Sequence, residues 1–476
     1  MSEHRRTKIV ATIGPASRDL EILRQLIESG ADVFRLNFSH GTPEEHAGNV
    51  ERIRAAAKLT GKWVGVLGDL PGPKLRLADI DGGRCTLHLD SQVTLTTHDG
   101  VGNERVLPVG WDGLPEAVKV GDPIFLADGR IRLRAVTIAT DAVQCVVEAG
   151  GTVGSRQGIN LPSSQAGSMP AAGARDLDWV EFACEHGVDL LAVSFVRAAS
   201  DLQPVEHRIR ERGADIPLIA KIEKPQAAEH AEEIIQAAGS GIMVARGDLG
   251  IELPIETVPS VQKRLIRLAG KHQKPAITAT QMLASMVSSD RPTRAEVTDV
   301  ANAIYDGTDA VMLSEETAIG DHPVEAVRVM DRVARATERD LPYRHWLLNR
   351  VESEHDVAAS VAQGAVGATY RLPIAALVVP TRSGRTARIV SALRPRVPIL
   401  AISPRVETVR RLNLLFGVKC AYHDEWRDLR EILDDSAVVA RREGFAQAGE
   451  LIVITAGLPD QELGTNLFEV HKVPEE

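Results

Sequence analysis

Short apolar runs recur along the first three-quarters of the chain, at intervals that leave room for a helix between them. Runs of this length, rich in β-branched residues, indicate parallel strands buried on both faces. The intervals show helical periodicity; Leu20, Leu23 and Ile27 share one helical face, for example, and Gly30 then ends that helix. Eight β and α units predict a (β/α)8 TIM barrel. The predicted strands are residues 8–13, 33–38, 63–70, 190–195, 218–223, 242–245, 276–280 and 310–314.

Two other patterns occur along the chain: one interrupts the alternation of strands and helices, and the other follows it. The interval between the third and fourth strands changes to short alternating strands at 84–89, 93–97, 131–136 and 143–147, with Asp128-Gly129 as a hairpin turn. This predicts a small β-barrel domain inserted as a lid, because so long a structureless loop is improbable. Strands at 376–379, 399–402, 421–423, 451–456 and 467–470 alternate with helices and predict a doubly wound α/β domain. The expected domains are barrel 1–70 and 166–341, lid 71–165 and C-terminal α/β regulatory domain 342–476.

Composition narrows the function. A net charge of −10 and an aromatic content of 4% argue against binding to nucleic acid. No run of 18 apolar residues is present, and the N-terminus lacks the apolar stretch of a signal peptide, so no membrane segment is expected. Four scattered cysteines without a CxxC pair favour reduced thiols and a cytoplasmic location. They are Cys85, Cys145, Cys184 and Cys420.

Charged residues stand at the ends of two neighbouring strands. One run ends in Lys221 and Glu223, and the next is followed by Arg246 and Asp248. Ligands of parallel α/β proteins bind at the carboxyl ends of strands, so these four side chains are expected to converge. Two carboxylates suit Mg²⁺, and the cations suit an anionic substrate or a developing oxyanion. The pattern indicates phosphoryl-transfer or enolate chemistry, although surface carboxylates and a solvated lysine remain the alternative.

Further polar residues follow other strands. Arg35 suits a phosphate, and the oxygens of Asn37, Ser39 and Asp69 suit a cation, with ordinary loop hydrogen bonding as the alternative. Thr280 ends the seventh strand, where a threonine alone usually serves packing. Hydroxyls and a glycine also open a helix at residues 381–386, which forms either an anion site or a simple helix cap by Ser383 or Thr386.

These segments closely resemble the pyruvate kinase family. The resemblance rests on segments 7–17, 35–41, 217–223, 241–250, 277–283 and 291–296, and continues in order to about residue 470. It implies an enzyme that transfers the phosphoryl group of phosphoenolpyruvate to ADP, giving pyruvate and ATP in the last step of glycolysis. It also implies a cytoplasmic homotetramer.

The resemblance also implies roles at the centre of the site. Glu223 and Asp248 are expected to hold Mg²⁺ or Mn²⁺, with the backbone near Gly247 facing the substrate. Lys221 is expected to stabilise the transferring phosphoryl group and the enolate oxygen. Thr280 is expected to help relay a proton to the enolate carbon through water.

Around this centre the resemblance assigns binding roles. Arg35 is expected to contact the substrate phosphate and to take part in catalysis. His40, Arg76 and Asn37 are expected to contact the nucleotide. In most relatives the positions of Asn37, Ser39 and Asp69 form a potassium site.

Two residues in the loop after the third strand bear on potassium. Potassium-dependent relatives carry Thr and Glu where this chain has Leu70 and Lys74. A lysine ammonium supplies a fixed positive charge in about the place of the ion. K⁺ is therefore expected not to be required, the alternative being that Lys74 is a solvated loop residue.

The sequence departs from its relatives at two places. Gln157 replaces a lysine that often precedes the sequence Gly-Ile-Asn, which puts one nucleotide contact in doubt unless the neighbouring Arg156 substitutes. Glu315 stands where a small residue is usual. The loop of Thr381, Ser383, Gly384, Arg385 and Thr386 matches the phosphate site of an activating sugar phosphate in relatives.

Two other functions stay open from the residues alone. One is a different barrel enzyme of phosphoenolpyruvate or pyruvate, such as a class II aldolase or lyase, which needs neither lid nor C-terminal domain. The other is a non-catalytic sensor of sugar phosphates, for which decay at Lys221, Glu223, Asp248 or Thr280 is expected and is not seen.

Overall fold

The computed structural model describes residues 4–127, 129–161, 172–349, 356–457 and 464–475. The strands are, in chain order, β1 (Lys8–Thr12), β2 (Val33–Asn37), β3 (Gly65–Asp69), β4 (Arg84–Leu87), β5 (Gln92–Thr96), β6 (Val106–Pro108), β7 (Pro123–Leu126), β8 (Ile131–Ile138), β9 (Ala142–Ala149), β10 (Gly151–Gly154), β11 (Ile159–Asn160), β12 (Leu190–Val193), β13 (Leu218–Ile222), β14 (Ile242–Ala245), β15 (Ala276–Ala279), β16 (Ala310–Leu313), β17 (Ile374–Pro380), β18 (Ile399–Ser403), β19 (Val418–Tyr422), β20 (Leu451–Ala456) and β21 (Leu467–Lys472).

The α-helices are α1 (Leu20–Ser29), α2 (Pro43–Thr60), α3 (Leu114–Ala117), α4 (Ala174–Glu185), α5 (Gln203–Glu211), α6 (Pro225–Glu229), α7 (Ala231–Ala237), α8 (Arg246–Glu252), α9 (Val258–Lys271), α10 (Arg294–Tyr305), α11 (Glu315–Ala318), α12 (Pro323–Glu338), α13 (Tyr343–Asn349), α14 (Val357–Ala368), α15 (Arg385–Ala392), α16 (Val406–Arg411) and α17 (Leu429–Arg442). None of these described helices is both long enough and apolar enough to cross a membrane.

The eight predicted buried runs form a closed parallel barrel. Its strand order is β1-β16-β15-β14-β13-β12-β3-β2. The helix predicted before Gly30 is α1: Asp19 caps its first turn, and Gly30 ends it at φ 118°, a conformation that glycine adopts without strain. Leu23, Leu26 and Ile27 of this helix are buried against the barrel. The barrel prediction is therefore confirmed.

Between β3 and β12 the chain forms the predicted β-rich insertion. A six-stranded sheet in the order β11-β7-β8-β9-β5-β6 and a two-stranded ribbon of β10 and β4 enclose one apolar core. The pattern missed the short strands β6, β7, β10 and β11. Asp128 of the predicted hairpin turn lies outside the described residues, and the flanking strands β7 and β8 are antiparallel.

The C-terminal domain is a five-stranded sheet in the order β19-β18-β17-β20-β21. All neighbours are parallel except β20 and β21. The predicted start of β19 at residue 421 is wrong by three residues, since the strand begins at Val418. Its first residues contact the barrel: Lys8 donates to the carbonyl of Val418, and Lys419 faces Asp32. The start of the strand was not predicted because Lys419, which makes this polar contact, interrupts the apolar run.

Buried aspartates at the amino ends of barrel strands join the barrel to this domain. Lys419 Nζ of the C-terminal domain lies 3.4 Å from Asp32, and Arg394 Nη1, fully buried, lies 2.8 Å from Asp309. Asp32 and Asp309 also each accept a backbone N–H from the start of the adjacent strand. A third buried aspartate, Asp189, accepts such a bond as well and pairs with Arg54. These bonds come from Ile9 to Asp32 (3.0 Å), Val66 to Asp189 (2.7 Å) and Ala276 to Asp309 (3.0 Å).

Candidate active site

Lys221 is the centre of a buried charge cluster at the carboxyl end of the barrel. Its Nζ lies 2.9 Å from Glu223, which is two residues further along and therefore on the same side of β13. It also lies 3.2 Å from Asp69 at the end of β3 and donates to Ser194 at 2.7 Å. Burial acts to lower the pKa of Lys221, but Asp69 and Glu223 together raise it above the usual value. Lys221 is thus a fixed cation at neutral pH and a poor acid.

Glu223 is buried and held in place from both sides. One carboxylate oxygen faces Lys221, and the other accepts the backbone N–H of Phe195 at 2.7 Å. Phe195 presents that N–H from a left-handed conformation at φ 55°. Burial raises the pKa of Glu223; Lys221 opposes this, and the nearby carboxylate of Asp248 adds to it. The carboxylates of Glu223 and Asp248 therefore lie near enough for their charges to interact.

Asp248 lies in the first turn of α8 and faces Lys74. The distance from Lys74 Nζ to Asp248 Oδ1 is 3.4 Å. The loop that carries Lys74 passes close to the end of β12, where a Cβ on Gly72 would stand only 2.7 Å from the Cβ of Ser194. Gly72 has φ +66°, so glycine serves both the turn and the close approach. Lys74 therefore belongs to the site.

Arg246 does not join the cluster, and the expectation that it converges with Lys221, Glu223 and Asp248 is wrong. Its guanidinium lies 2.7 Å from Asp299 of α10 and donates to the carbonyl of Thr280, also at 2.7 Å. The physical reason is that α8 begins at Arg246 directly after the strand. In a helix, positions two apart point roughly 200° away from each other. Asp248 faces the site, so Arg246 faces outward.

Thr280 follows β15 in a left-handed conformation at φ 71°. Its hydroxyl donates to the carbonyl of Ala279 at 2.6 Å and accepts the N–H of Gly247 at 2.7 Å. The Gly247 N–H expected to face the substrate is thus directed at Thr280 in this structure. Because Gly247 belongs to the same helical turn as Asp248, the threonine fixes the start of α8.

The positions assigned to phosphate and potassium also meet here. Arg35 Nε donates to Asp69 at 2.6 Å, and Arg35 Nη1 donates to Thr12 at 3.2 Å. Burial acts to raise the pKa of Asp69, but Lys221 and Arg35 hold it below the usual value. Nearby, Asn37 Oδ1 accepts the N–H of Ser39 at 3.2 Å.

Two of the three residues assigned to the nucleotide, His40 and Arg76, lie at the surface outside this cluster. The side chains of His40 and Arg76 are exposed, and Arg76 donates to the carbonyl of Arg156 at 3.2 Å. Arg156 itself lies 3.1 Å from Asp79, which directs its guanidinium to that carboxylate. The carbonyl of Gln157 accepts the N–H of Leu77. Glu315 is an exposed first-turn residue of α11, a place where a carboxylate is favourable.

Sequence reasoning missed several residues that complete the site. Ser194, the partner of Lys221, directly follows β12. Its position at the carboxyl end of a barrel strand could have predicted that it lies in the site. A second group gave no local signal, because its members come from three separate elements. In it Glu252 of α8 accepts Lys224 at 2.6 Å and Asn160 of β11 at 3.0 Å, which ties the insertion to both carboxylate-bearing segments.

The predicted effector loop lines a separate cleft of about 330 Å³ in the C-terminal domain. Thr381 accepts the N–H of Gly384 at 3.0 Å, and Gly384, at φ 82°, opens α15. The hydroxyl of Thr386 bonds that of Thr465, so it already has a partner. Trp426 also lines the cleft, and its buried indole N–H finds no partner among the residues that the structure describes.

Comparisons with known proteins agree with this geometry. Models described as "Pyruvate kinase, barrel domain" and "Pyruvate kinase, alpha/beta domain" match residues 4–327 and 359–471. The pyruvate kinase of Thermococcus litoralis is 42% identical, covering 98% of this chain and 99% of that protein. The Geobacillus stearothermophilus enzyme is also 42% identical, over 98% of this chain and 80% of its own length. A crystal structure of a pyruvate kinase from Cryptosporidium parvum aligns with a TM-score of 0.94 and 34% identity, covering 99% and 96% of the two chains.

A TIM barrel with a β-rich insertion, a C-terminal α/β domain and a lysine–carboxylate cluster at the mouth of the barrel defines a phosphotransferase. The chain belongs to the pyruvate kinase family. Its activity is that family's transfer of a phosphoryl group between phosphoenolpyruvate and ADP, with pyruvate and ATP as products.

Proposed function

We propose that Lys221 carries the chemistry of this transfer as a fixed positive charge. The observation that supports it is the burial of its ammonium between Asp69, Glu223 and Ser194. An ammonium held in a water-poor site stabilises a moving phosphoryl group and an enolate oxygen without reorganising. Arg35, held by Asp69, is oriented to bind the substrate phosphate. The reaction then depends on positioning and electrostatics, with little covalent chemistry asked of the protein.

Glu223 and Asp248 fit a divalent cation, Mg²⁺ or Mn²⁺. The mutual repulsion of their carboxylates supports this, because a cation between them removes it. No cluster of three or more His, Cys, Asp or Glu side chains that could hold a metal is found among the described residues. Two carboxylates, with the other positions left to water and substrate, suit Mg²⁺. When bound, the ion supplies positive charge to the phosphoryl oxygens.

For Thr280 we propose an influence on the proton that reaches the enolate carbon. Its hydroxyl keeps one lone pair beyond its two backbone bonds, which is enough to accept from a water. We assign the relay to that water and the orientation to Thr280. Because Lys221 stays protonated, it does not supply this proton.

An assay coupled to lactate dehydrogenase tests the activity directly. With phosphoenolpyruvate, ADP and Mg²⁺, pyruvate should form, and omission of either ADP or Mg²⁺ should stop it. Pyruvate without ADP is the result expected of a lyase or a phosphatase. No pyruvate under any condition is the result expected of a non-catalytic sensor.

The wider assignments rest on the resemblance, with partial support from the fold. Strands β4 to β11 fall within the proposed lid, residues 71–165, between the barrel segments 1–70 and 166–341. Strand β21 in the domain proposed for 342–476 is an edge strand with Phe468 and Val470 exposed, which suits the association of a homotetramer. Four free cysteines suit the cytoplasm, where the enzyme would catalyse the last step of glycolysis.

The charges around Asp69 and Asp248 support the proposal that the enzyme does not require K⁺. Arg35 and Lys221 already balance Asp69, and the Lys74 ammonium lies 3.4 Å from Asp248. Near-full turnover is therefore expected in a buffer whose only monovalent cation is tetramethylammonium. A large rise on adding KCl, beyond an ionic-strength control, would contradict this. As a matched variant, Leu70→Thr with Lys74→Glu should become dependent on K⁺, because it removes a cation and adds a carboxylate.

The loop of Thr381, Ser383, Gly384, Arg385 and Thr386 is proposed to bind the phosphate of an allosteric effector. Changing Ser383 and Thr386 to alanine should abolish activation by sugar phosphates or nucleoside monophosphates, because two hydroxyls that line the cleft are lost. Basal turnover should stay. Ser360→Ala, an exposed serine on α14, is the control for the same chemical change. A persisting response in the double variant would place the effector elsewhere.

A further inference from the structure

A cleft lined by arginine and lysine side chains lies at the amino end of the barrel, opposite the active site. None of the roles described above involves this cleft. It has a volume of about 420 Å³ and lies between α2, the loop that follows α2, and the last turn of α16 in the C-terminal domain. None of its lining residues is a carboxylate in the part of the chain that the structure describes. The lining includes Arg54, Ala57, Lys58, Lys62, Trp63 and Arg410.

The cations of this cleft differ in how they are compensated. Arg54 is fully engaged: it lies 2.7 Å from Asp189 and donates to the carbonyls of Gly187 and Val64. The Arg410 guanidinium forms no hydrogen bond or ion pair with any described residue. Burial lowers the pKa of Arg410, and the charge of Arg54 lowers it further.

The remaining negative charge around Arg410 is small. Asp189 is already bonded to Arg54, and Glu407 is exposed on the same helix. A half-buried guanidinium beside a like charge and without a protein partner keeps its donors free for an anion from solution. Beside these cations, the same cleft is lined by the apolar residues Ala57, Trp63 and Val64.

We propose that this cleft binds an organic anion whose phosphate or carboxylate pairs with Arg410 and whose flat apolar body lies beside Trp63 and Ala57. Arginine pairs with both groups through two parallel hydrogen bonds, and an aromatic ring beside a cationic group favours a planar ligand. The site shares no lining residue with the proposed effector cleft, which Ser383 and Thr386 line within the C-terminal domain.

The cleft is also separate from the active site. The carbonyl of Arg410 lies against Gly65 at the start of β3, and Asp189 directly precedes β12. These strands end at Asp69 and before Ser194, the two neighbours of Lys221 beyond its own strand. The cleft thus lies at the opposite ends of β3 and β12, so a nucleotide in the active site should not compete with its ligand.

Calorimetric titration of the full-length enzyme, with Mg²⁺ and ADP present, tests the proposal. The ligands are 1-naphthyl phosphate, 1-naphthoate and the neutral 1-naphthol, which share one ring system. We expect an anion to bind and 1-naphthol not to bind. The tighter of the two anions identifies the recognised group.

Arg410→Gln should weaken binding of that anion by about tenfold or more, the loss expected for one charged hydrogen-bonded pair. Arg405→Gln, an exposed arginine just before the same helix, is the control and should leave binding unchanged. Equal affinity in the two variants, equal binding of 1-naphthol, or no binding of either anion at millimolar concentration would each overturn the proposal. Unaltered thermal midpoints in both variants exclude a folding defect.

Discussion

Lys221→Met should lower kcat by about a hundredfold or more, the loss typical of removing one donor that stabilises developing negative charge. Lys221 is buried at the meeting point of Asp69, Glu223 and Ser194, and its raised pKa keeps it charged. Methionine has nearly the same length and no charge, so the variant removes the charge and retains most of the packing. The measurement is steady-state turnover with phosphoenolpyruvate and ADP at saturation.

The pattern of kinetic constants separates this role from a structural one. If Lys221 acts mainly on the transition state, KM for phosphoenolpyruvate and the Mg²⁺ concentration for half activation should change little while kcat falls. Lys119→Met, at an exposed lysine of the insertion, controls for the chemical change. Circular dichroism should show native secondary structure in both variants. Near wild-type kcat in Lys221→Met would remove this residue from the chemistry.

Glu223→Gln and Asp248→Asn should each raise the Mg²⁺ concentration needed for half activation, by at least about tenfold, because each removes one charged oxygen ligand. The two effects should differ in a way that the structure specifies. Glu223 also compensates Lys221, so its loss should lower kcat even at saturating Mg²⁺. Asp248 faces Lys74 at 3.4 Å, and its loss should act mainly through metal affinity.

The control for these two variants is Glu256→Gln, an exposed glutamate just beyond α8. It changes the net charge as Glu223→Gln does, but lies outside the carboxylate cluster. Calorimetric binding of Mn²⁺ gives a readout that does not depend on turnover. Unchanged Mn²⁺ affinity in either active-site variant would exclude that residue as a ligand.

Most of the barrel and part of the site could be predicted from the sequence, because both depend on the physical properties of buried parallel strands. Buried parallel strands are continuous apolar runs, and their carboxyl ends meet at one edge of the barrel. Lys221 and Glu223 are two residues apart on one strand, so strand geometry alone places them together. The same rule failed for Arg246, because a helix replaces the strand at that residue and rotates its side chain to the opposite side.

Features made of residues distant in sequence were not readable. Glu252, Lys224 and Asn160 converge from α8, the loop after β13 and the insertion, and none of the three local patterns indicates the others. The short strands of the insertion were missed because two to four residues give no clear alternation. The start of β19 was missed because Lys419 serves an interdomain ion pair in a position that the pattern expects to be apolar.

The buried Asp309 at the amino end of the barrel limits which C-terminal domains could be exchanged into this enzyme. Asp309 is inherited with one part of the chain and the cation that neutralises it, Arg394, with another. Asp32 differs, because Arg5 and Lys8 of its own part of the chain lie beside it in addition to Lys419. A chimaera that takes its C-terminal domain from a relative without a cation at position 394 would leave the buried Asp309 carboxylate without its ion pair. Substitutions at positions 309 and 394 should therefore occur together, and a functional exchange of domains would have to carry both members of this pair.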